Sequence, residues 1–222
     1  MSTFDEERSA IAMACRRLAE AGLVIGTAGN VSVRIDDRVA ITATGARFEE
    51  LTATDVSIVD LDGDHVWGEL QPTSELDLHL GIYRRFGSTA VVHTHSPVAT
   101  AVGLVVDELP CVHYQMLLLG GAVRVAPYAT FGTPELATAV AAALEGRSAA
   151  LMANHGAVTH AGSLQAAVDQ ALLLEWACTL YWRAASMGSP RHLSAAEQEQ
   201  VVVQATARHY GSTRPARTEE NR

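Results

Sequence analysis

His93-Thr94-His95 closes an apolar run, Ala90-Val91-Val92, and another histidine, His155, stands far downstream inside Ala-Asn-His-Gly. Successive side chains on a β-strand alternate faces, so His93 and His95 project to the same side, one pleat repeat apart. Two imidazoles at that spacing can converge on one ion, and His155 would complete a three-nitrogen set from a separate segment. Three neutral nitrogens with an open fourth position suit a catalytic zinc rather than a closed structural one. His-x-His also arises by chance on strands, so the motif needs company. Part of that company comes by exclusion. All 16 Lys-plus-Arg positions are arginine. Without lysine there is no Schiff-base catalysis, no pyridoxal phosphate anchored through a side-chain imine and no P-loop. Carbanion or enolate chemistry would then fall to a metal.

Three polar turns add a second chemistry. Gly26-Thr27-Ala28-Gly29-Asn30, Thr44-Gly45 and Thr73-Ser74 each offer backbone N–H groups with short hydroxyl or amide donors, the equipment of an anion-binding nest. Each alone makes an ordinary turn. Their joint presence with Glu75 and the histidines is what makes a candidate site.

The elements that must position these residues follow from periodicity and capping. Residues 3–21 read as an amphipathic helix, with Gly22 as its C-terminal stop. Hairpins are expected at 30–35 with 38–42, turning at Asp36-Asp37, and at 56–61 with 65–69, around Asp62-Gly63-Asp64. Thr73 or Ser74 reads as the N-cap of a helix running to about Phe86. The histidine strand spans 89–95, and Pro97 opens a short helix. Thr133-Pro134-Glu135 starts a helix that ends at Gly146. Strands follow at 149–152 and 157–160. Ser163 caps a long apolar helix, Leu164 to Met187, whose polar interruptions make it a buried helix and not a membrane span. Ser194 to Glu197 is a capping box opening the last helix to about Ala207. Beyond Gly211 the polar segment 212–222 reads as a mobile tail. The hairpins imply a mixed sheet, not a purely parallel one.

At 222 residues the chain is most economically one domain, residues 1–211. A net charge of −9 argues against nonspecific nucleic-acid or anionic-membrane binding, so an anionic substrate would need a local pocket. Cys15, Cys111 and Cys178 are an odd, scattered set with no C-x-x-C, which argues against a disulfide framework. With no signal peptide read, a cytoplasmic, reducing location is expected.

Gly26-Thr-Ala-Gly-Asn-Val-Ser-Val-Arg34, Thr73-Ser-Glu75, Val92-His-Thr-His95, Ala126-Pro-Tyr-Ala-Thr-Phe-Gly-Thr133 and Asn154-His-Gly156 occur here in one order. Together they resemble the class II aldolase family, and within it the L-fuculose-1-phosphate aldolases, over nearly the whole chain. The resemblance implies a three-layer α/β/α fold around a mixed, mostly antiparallel sheet, assembled as a C4 homotetramer with one zinc ion per subunit. It makes His93, His95 and His155 the zinc ligands and Glu75 the catalytic carboxylate, able to bind the resting metal as well. Gly29, Asn30, Thr44, Gly45, Thr73 and Ser74 match phosphate-binding positions; Thr73 replaces a serine but keeps the hydroxyl. Tyr114 matches a catalytic tyrosine that reaches a neighbouring subunit's site, with Phe131 and Tyr210 closing it. The implied activity is reversible cleavage of a ketose 1-phosphate into dihydroxyacetone phosphate and a short aldehyde. Sugar-phosphate epimerases, dehydratases and decarboxylases share the superfamily; epimerases carry Asp where this chain has Glu75. A non-catalytic scaffold like the adducin head would lack the intact ligand set. His79, one turn past Glu75, reads as packing or support for the site. His65, His160, His192 and His209 read as structural or solvated. Trp176, Tyr181 and Trp182 read as core or subunit contact.

Overall fold

The computed structural model describes residues 4–211, so the tail expected at 212–222 lies outside the described residues. Helix α1 (Asp5–Glu20) carries Asp5, Glu6 and Glu7 in its first turn and Arg17 in its last, both favourable to the helix dipole. It ends as expected: the Gly22 and Leu23 amides bond the Ala19 and Leu18 carbonyls, and Leu18 and Leu23 join one core. Strands β1 (Asn30–Ile35) and β2 (Arg38–Thr42) form the first hairpin, and β3 (Val56–Asp60) pairs with the short β4 (His65–Trp67). The second hairpin stops two residues earlier than its sequence pattern suggests. Gly68 adopts φ 110, and all three residues of β4 are exposed, so no burial prolongs that edge.

Helix α2 (Leu76–Phe86) leads into β5 (Ala90–Thr94), then α3 (Pro97–Gly103). The segment after α3, which carries no clear periodicity, folds as β6 (Glu108–Leu109), a 3-10 turn (Tyr114–Leu119) and β7 (Val123–Ala126). Helix α4 (Pro134–Ala143), strands β8 (Ala149–Met152) and β9 (Gly156–Ala161), the long α5 (Leu164–Met187) and α6 (Ala195–Arg208) complete the chain. The expected caps are made: the side chains of Thr133, Ser163 and Ser194 accept from Leu136, Ala166 and Glu197 amides.

Among the described residues, nine strands form one sheet in the order β4-β3-β2-β1-β5-β9-β8-β7-β6. Every neighbouring pair is antiparallel except β7 with β8. On one face Val31, Val33, Ala40, Ile58, Ala90 and Val92 pack against α1 and α5. On the other, Val39, Ile41, Val91, Met152 and Val158 pack against α2 and α4. The result is the three-layer α/β/α sandwich expected. β5 is central, with every side chain buried. Fully burying a valine stabilises by about 1.5–3 kcal/mol, and a one-residue slip would exchange the faces of Val91 and Val92. Register at the histidine strand is therefore fixed by packing on both sides.

Helix α5 corrects one expectation. Ala167, Val168, Ala171, Leu174, Ala177 and Cys178 are buried, but Trp176, Trp182 and Met187 are exposed. It is a half-buried helix whose buried residues lie in its first two thirds and whose C-terminal turns are largely exposed. No described helix is long and apolar enough to cross a membrane.

Candidate metal centre and active site

His93 is the penultimate residue of β5, and His95 follows just past the strand's end. Strand alternation turns both to the α2 face, where the imidazole centroids are 4.7 Å apart. His155 arrives from the β8–β9 turn. Asn154 there holds φ 57, a left-handed conformation that Asn tolerates better than most side chains. The turn carries His155 to 4.9 Å from His93 and 5.0 Å from His95 between centroids. Glu75 completes the group from the start of α2. Its Oε2 lies 3.1 Å from His93 Nε2 and its Oε1 3.3 Å from His155 Nε2.

The position of Glu75 overturns the capping expectation. Glu75 itself, not Thr73 or Ser74, occupies the N-cap, and its side chain makes no cap bond. Thr73 Oγ1 accepts from the Glu75 amide at 3.3 Å, a tight local turn that starts the helix. The carboxylate is thereby released from helix duty and faces the histidines.

The donor set fits a divalent cation. One ligand atom from each of Glu75, His93, His95 and His155 lies within 4.8 Å of the others. His93 Nδ1 donates to the Ala157 carbonyl at 2.9 Å, which orients the ring and reserves Nε2 for the cluster, as metal-binding histidines require. Burial, then the field of His93, pushes His95 down to about 3 and His155 down to about 4. Both rings are therefore neutral at physiological pH, with lone pairs to offer. Burial alone would raise the Glu75 carboxyl. The pull of His93, hydrogen bonds involving His93 and Asn30, and the pull of His155 outweigh it and hold the group well below the usual carboxylate range. Glu75 Oε1, although buried, has no hydrogen-bond partner, and such an atom is costly unless something occupies the cluster.

Around this cluster is a pocket of about 490 Å³. Gly29, Asn30, Thr44, Gly45, Thr73 and Ser74 all line it, together with Glu75, His95, His155 and Phe131. His93 sits fully buried beneath it. The structure thus gathers the metal and anion candidates in one cleft. Sequence reasoning missed Tyr128, Ala129 and Asn154 on its rim, although all lie within the motifs that carried the resemblance. Gly132 seats the rim loop: at φ 70, an added Cβ would lie 2.7 Å from the Ser74 carbonyl oxygen. Also missed was Glu175 of α5, whose carboxylate accepts from the Val98 and Ala99 amides at 3.0 and 2.7 Å. It caps α3 from afar and pins the chain just beyond His95.

Tyr114 and Tyr210 lie elsewhere in this chain. Their hydroxyls meet at 3.1 Å on an exposed surface, within a groove between the 3-10 turn and α6 that also contains Leu118 and Val202. They are brought to each other, not to the cluster of His93, His95 and His155 in their own chain. His160 and His65 behave as expected. His160 is satisfied by Ser88 Oγ at 2.6 Å and the Arg147 carbonyl at 3.0 Å, and His65 is exposed.

An α/β/α sandwich with a three-histidine, one-carboxylate cluster beside a cleft of short polar groups defines a protein able to hold a catalytic metal. Residues 9–182 match the family described as Class II Aldolase and Adducin N-terminal domain. A 5-deoxy-D-ribulose 1-phosphate aldolase of Bacillus thuringiensis is 39% identical over 200 residues, covering 89% of this chain and 94% of that protein. An L-fuculose phosphate aldolase of Escherichia coli is 38% identical over 192 residues, covering 86% of this chain and 89% of that one. A solved L-fuculose 1-phosphate aldolase superimposes with a TM-score of 0.86 at 35% identity, over 90% of this chain and 96% of that one. The chain belongs to the class II aldolase and adducin N-terminal domain family. The two curated relatives just named are aldolases, and the chain is an enzyme of that lyase class.

Proposed function

We propose that this enzyme is a zinc-dependent aldolase that reversibly cleaves a ketose 1-phosphate into dihydroxyacetone phosphate and a short aldehyde. The observation that carries the proposal is the shared cleft: Glu75 and the three histidines stand beside Gly29, Asn30, Thr44, Gly45, Thr73 and Ser74. Phosphate would be received by this second group, through backbone amides and hydroxyls. His93, His95, His155 and, before substrate enters, Glu75 would hold the zinc ion, whose Lewis acidity stabilises negative charge developing on substrate oxygens. When the C3–C4 bond breaks, the electron pair stays with the three-carbon fragment. Glu75, ionised at rest, would first take up a proton from solvent and then pass it to C3, a role its position over the histidines permits. Positioned acid–base catalysis contributes about 10²–10⁴-fold.

Tyr114 would accept the proton of the C4 hydroxyl while passing its own to solvent, as C4 becomes the aldehyde carbon. Because Tyr114 lies outside its own chain's cleft, this role assigns it to a neighbouring subunit, in a tetramer of fourfold symmetry acting in the cytoplasm. Phe131, exposed on the rim, and Tyr210, in contact with Tyr114, would close the site against water. The names of the relatives, a 5-deoxyribulose 1-phosphate aldolase and a fuculose phosphate aldolase, support a ketose 1-phosphate with a short aldehyde half.

The test is a panel of ketose 1-phosphates assayed for dihydroxyacetone phosphate release before chelation, after it, and after Zn²⁺ is restored. Release that disappears and returns with the metal is expected. Undiminished release from metal-free protein would overturn the zinc mechanism. No release from any ketose 1-phosphate, with turnover of another sugar phosphate, would move the assignment to a dehydratase, decarboxylase or epimerase.

A further inference from the structure

His79, Ser32 and Tyr83 are buried polar residues that the chemistry above does not use. Glu75, His79 and Tyr83 recur at intervals of four along the start and body of α2, so they form one stripe. Asn30 and Ser32, two apart on β1, share the sheet face beneath that stripe. The β1–β5 register places them opposite His93 and Val91. The two sets interleave into a continuous chain of contacts. Tyr83 Oη is 2.6 Å from Ser32 Oγ, and Ser32 Oγ is 2.6 Å from His79 Nδ1. His79 Nε2 is 2.5 Å from Asn30 Oδ1, and Asn30 Nδ2 is 3.0 Å from Glu75 Oε2.

The direction of each bond follows from what its ends can do. The ionised Glu75 carboxylate only accepts, so the Asn30 amide must turn its NH₂ toward Glu75 and its oxygen toward His79. An oxygen there requires a proton on His79 Nε2. Burial pushes His79 down to about 3, so the ring carries one proton and Nδ1 is left to accept from Ser32. At the far end burial pushes the Tyr83 hydroxyl above the ordinary tyrosine range. It stays protonated and donates to Ser32. Every link of the chain, from Tyr83 to Glu75, is made with this one polarity. Reversing any link would leave a buried group unpaired.

We propose that His79 is a positioning residue for the active site: through the Asn30 amide it fixes Glu75 Oε2 and leaves Oε1 as the oxygen free to work in the cleft. Ser32 and Tyr83 hold the imidazole's proton on Nε2. That the free oxygen serves an aldolase rests on the function proposed above; the polarity of the hydrogen-bond chain does not.

Three measurements test the proposal together. Nitrogen-15 NMR of histidine-labelled protein at neutral pH reads the His79 tautomer, which is expected to be protonated at Nε2 alone. His79→Leu removes the bond to Asn30, and both its Zn²⁺ affinity, measured by competition with a chelator, and its kcat are expected to fall about 10–100-fold, the range for lost partners of metal ligands. Its KM should change less than its kcat, because Gly29, Thr44, Gly45, Thr73 and Ser74 keep their contacts and only Asn30 in the phosphate cradle loses a partner. His79→Gln, which keeps an N–H for Asn30, should recover most of both losses. A ring protonated at Nδ1 would overturn the proposal, as would equal losses in the Leu and Gln variants or unchanged Zn²⁺ affinity in folded His79→Leu. Should His79→Leu not fold, the tautomer and the Gln variant decide. Tautomer and Zn²⁺ affinity need no substrate, so an error in the assigned reaction would show separately.

Discussion

Gly156→Ala places a methyl group between the two strands that carry the histidines. The ideal Cβ would lie 2.3 Å from the Thr94 carbonyl oxygen and 3.4 Å from His93 Cε1. Carbon–oxygen contacts across a sheet settle at about 3.3–3.6 Å, so β9 must retreat from β5 by roughly 1 Å at this point. Both obstacles belong to the centre of the sheet: Thr94 opposes Ala157 across the ladder, and His93 is fully buried. Overpacking of this kind costs about 1–3 kcal/mol. For a chain of this size each kcal/mol lowers Tm by about 2–4 °C, giving a fall of about 2–12 °C. The greater effect should be on the site. His155 moves with β9 while His93 and His95 stay with β5, and a misplacement of about 1 Å can cost 10²-fold in catalysis. Gly162, just past the other end of β9, is the control. An added Cβ there meets nothing within 4 Å, so Gly162→Ala should leave Tm unchanged or slightly higher. Thermal unfolding and Zn²⁺ competition on the two variants make the measurement. Gly156→Ala with wild-type Tm and wild-type Zn²⁺ affinity would refute the idea that this contact holds the histidines in register.

Glu75→Gln keeps the side chain's shape but cannot carry a proton; turnover should fall by at least about 10²-fold in protein that still folds and binds zinc, and near-normal turnover would transfer the proton to another group. Acid should destabilise the fold earlier than its carboxylates require. The folded pKa of His79 lies near 3, below the unfolded value of 6.5, so its contribution is complete above pH 6.5 and is lost as pH falls toward 3. At pH 5 the loss from His79 alone is about 2 kcal/mol, with His95 and His155 acting in the same direction. Denaturant titrations at pH 8 and pH 5 read it directly, and the pH difference should shrink in His79→Gln. Finally, mixing Tyr114→Phe subunits with Glu75→Gln subunits should restore part of the activity, since some interfaces then pair an intact Tyr114 with an intact Glu75. Verified mixed oligomers without rescue would place the whole catalytic set in one chain.

Wherever one local rule acts on neighbouring residues, the sequence was readable. Strand alternation alone put His93 and His95 on one face, and short-range hydrogen bonding alone made Thr133, Ser163 and Ser194 caps. The absence of lysine narrowed the available chemistry before any coordinate was known. Local rules failed where a distant partner outcompeted them. Thr73 and Ser74 look like better caps than Glu75, yet Glu75 takes the N-cap with no side-chain cap bond, and its carboxylate faces His93 and His155 instead. The stretch from 104 to 126 showed no period because β6 and β7 are a short edge pair, stabilised by packing under α3 and α5 and not by an amphipathic pattern of their own. His79 could be seen to lie one turn past Glu75, but its connection through Asn30 depends on a strand from 49 residues earlier in the chain. Gly156 entered only as part of the Asn154-His-Gly motif, and only the approach of the Thr94 carbonyl shows why a side chain cannot stand there. The types of the chemical groups were set by composition and spacing. Their convergence depended on the packing of β1, β5, β9 and α2, where burial on both faces of the sheet leaves a single register.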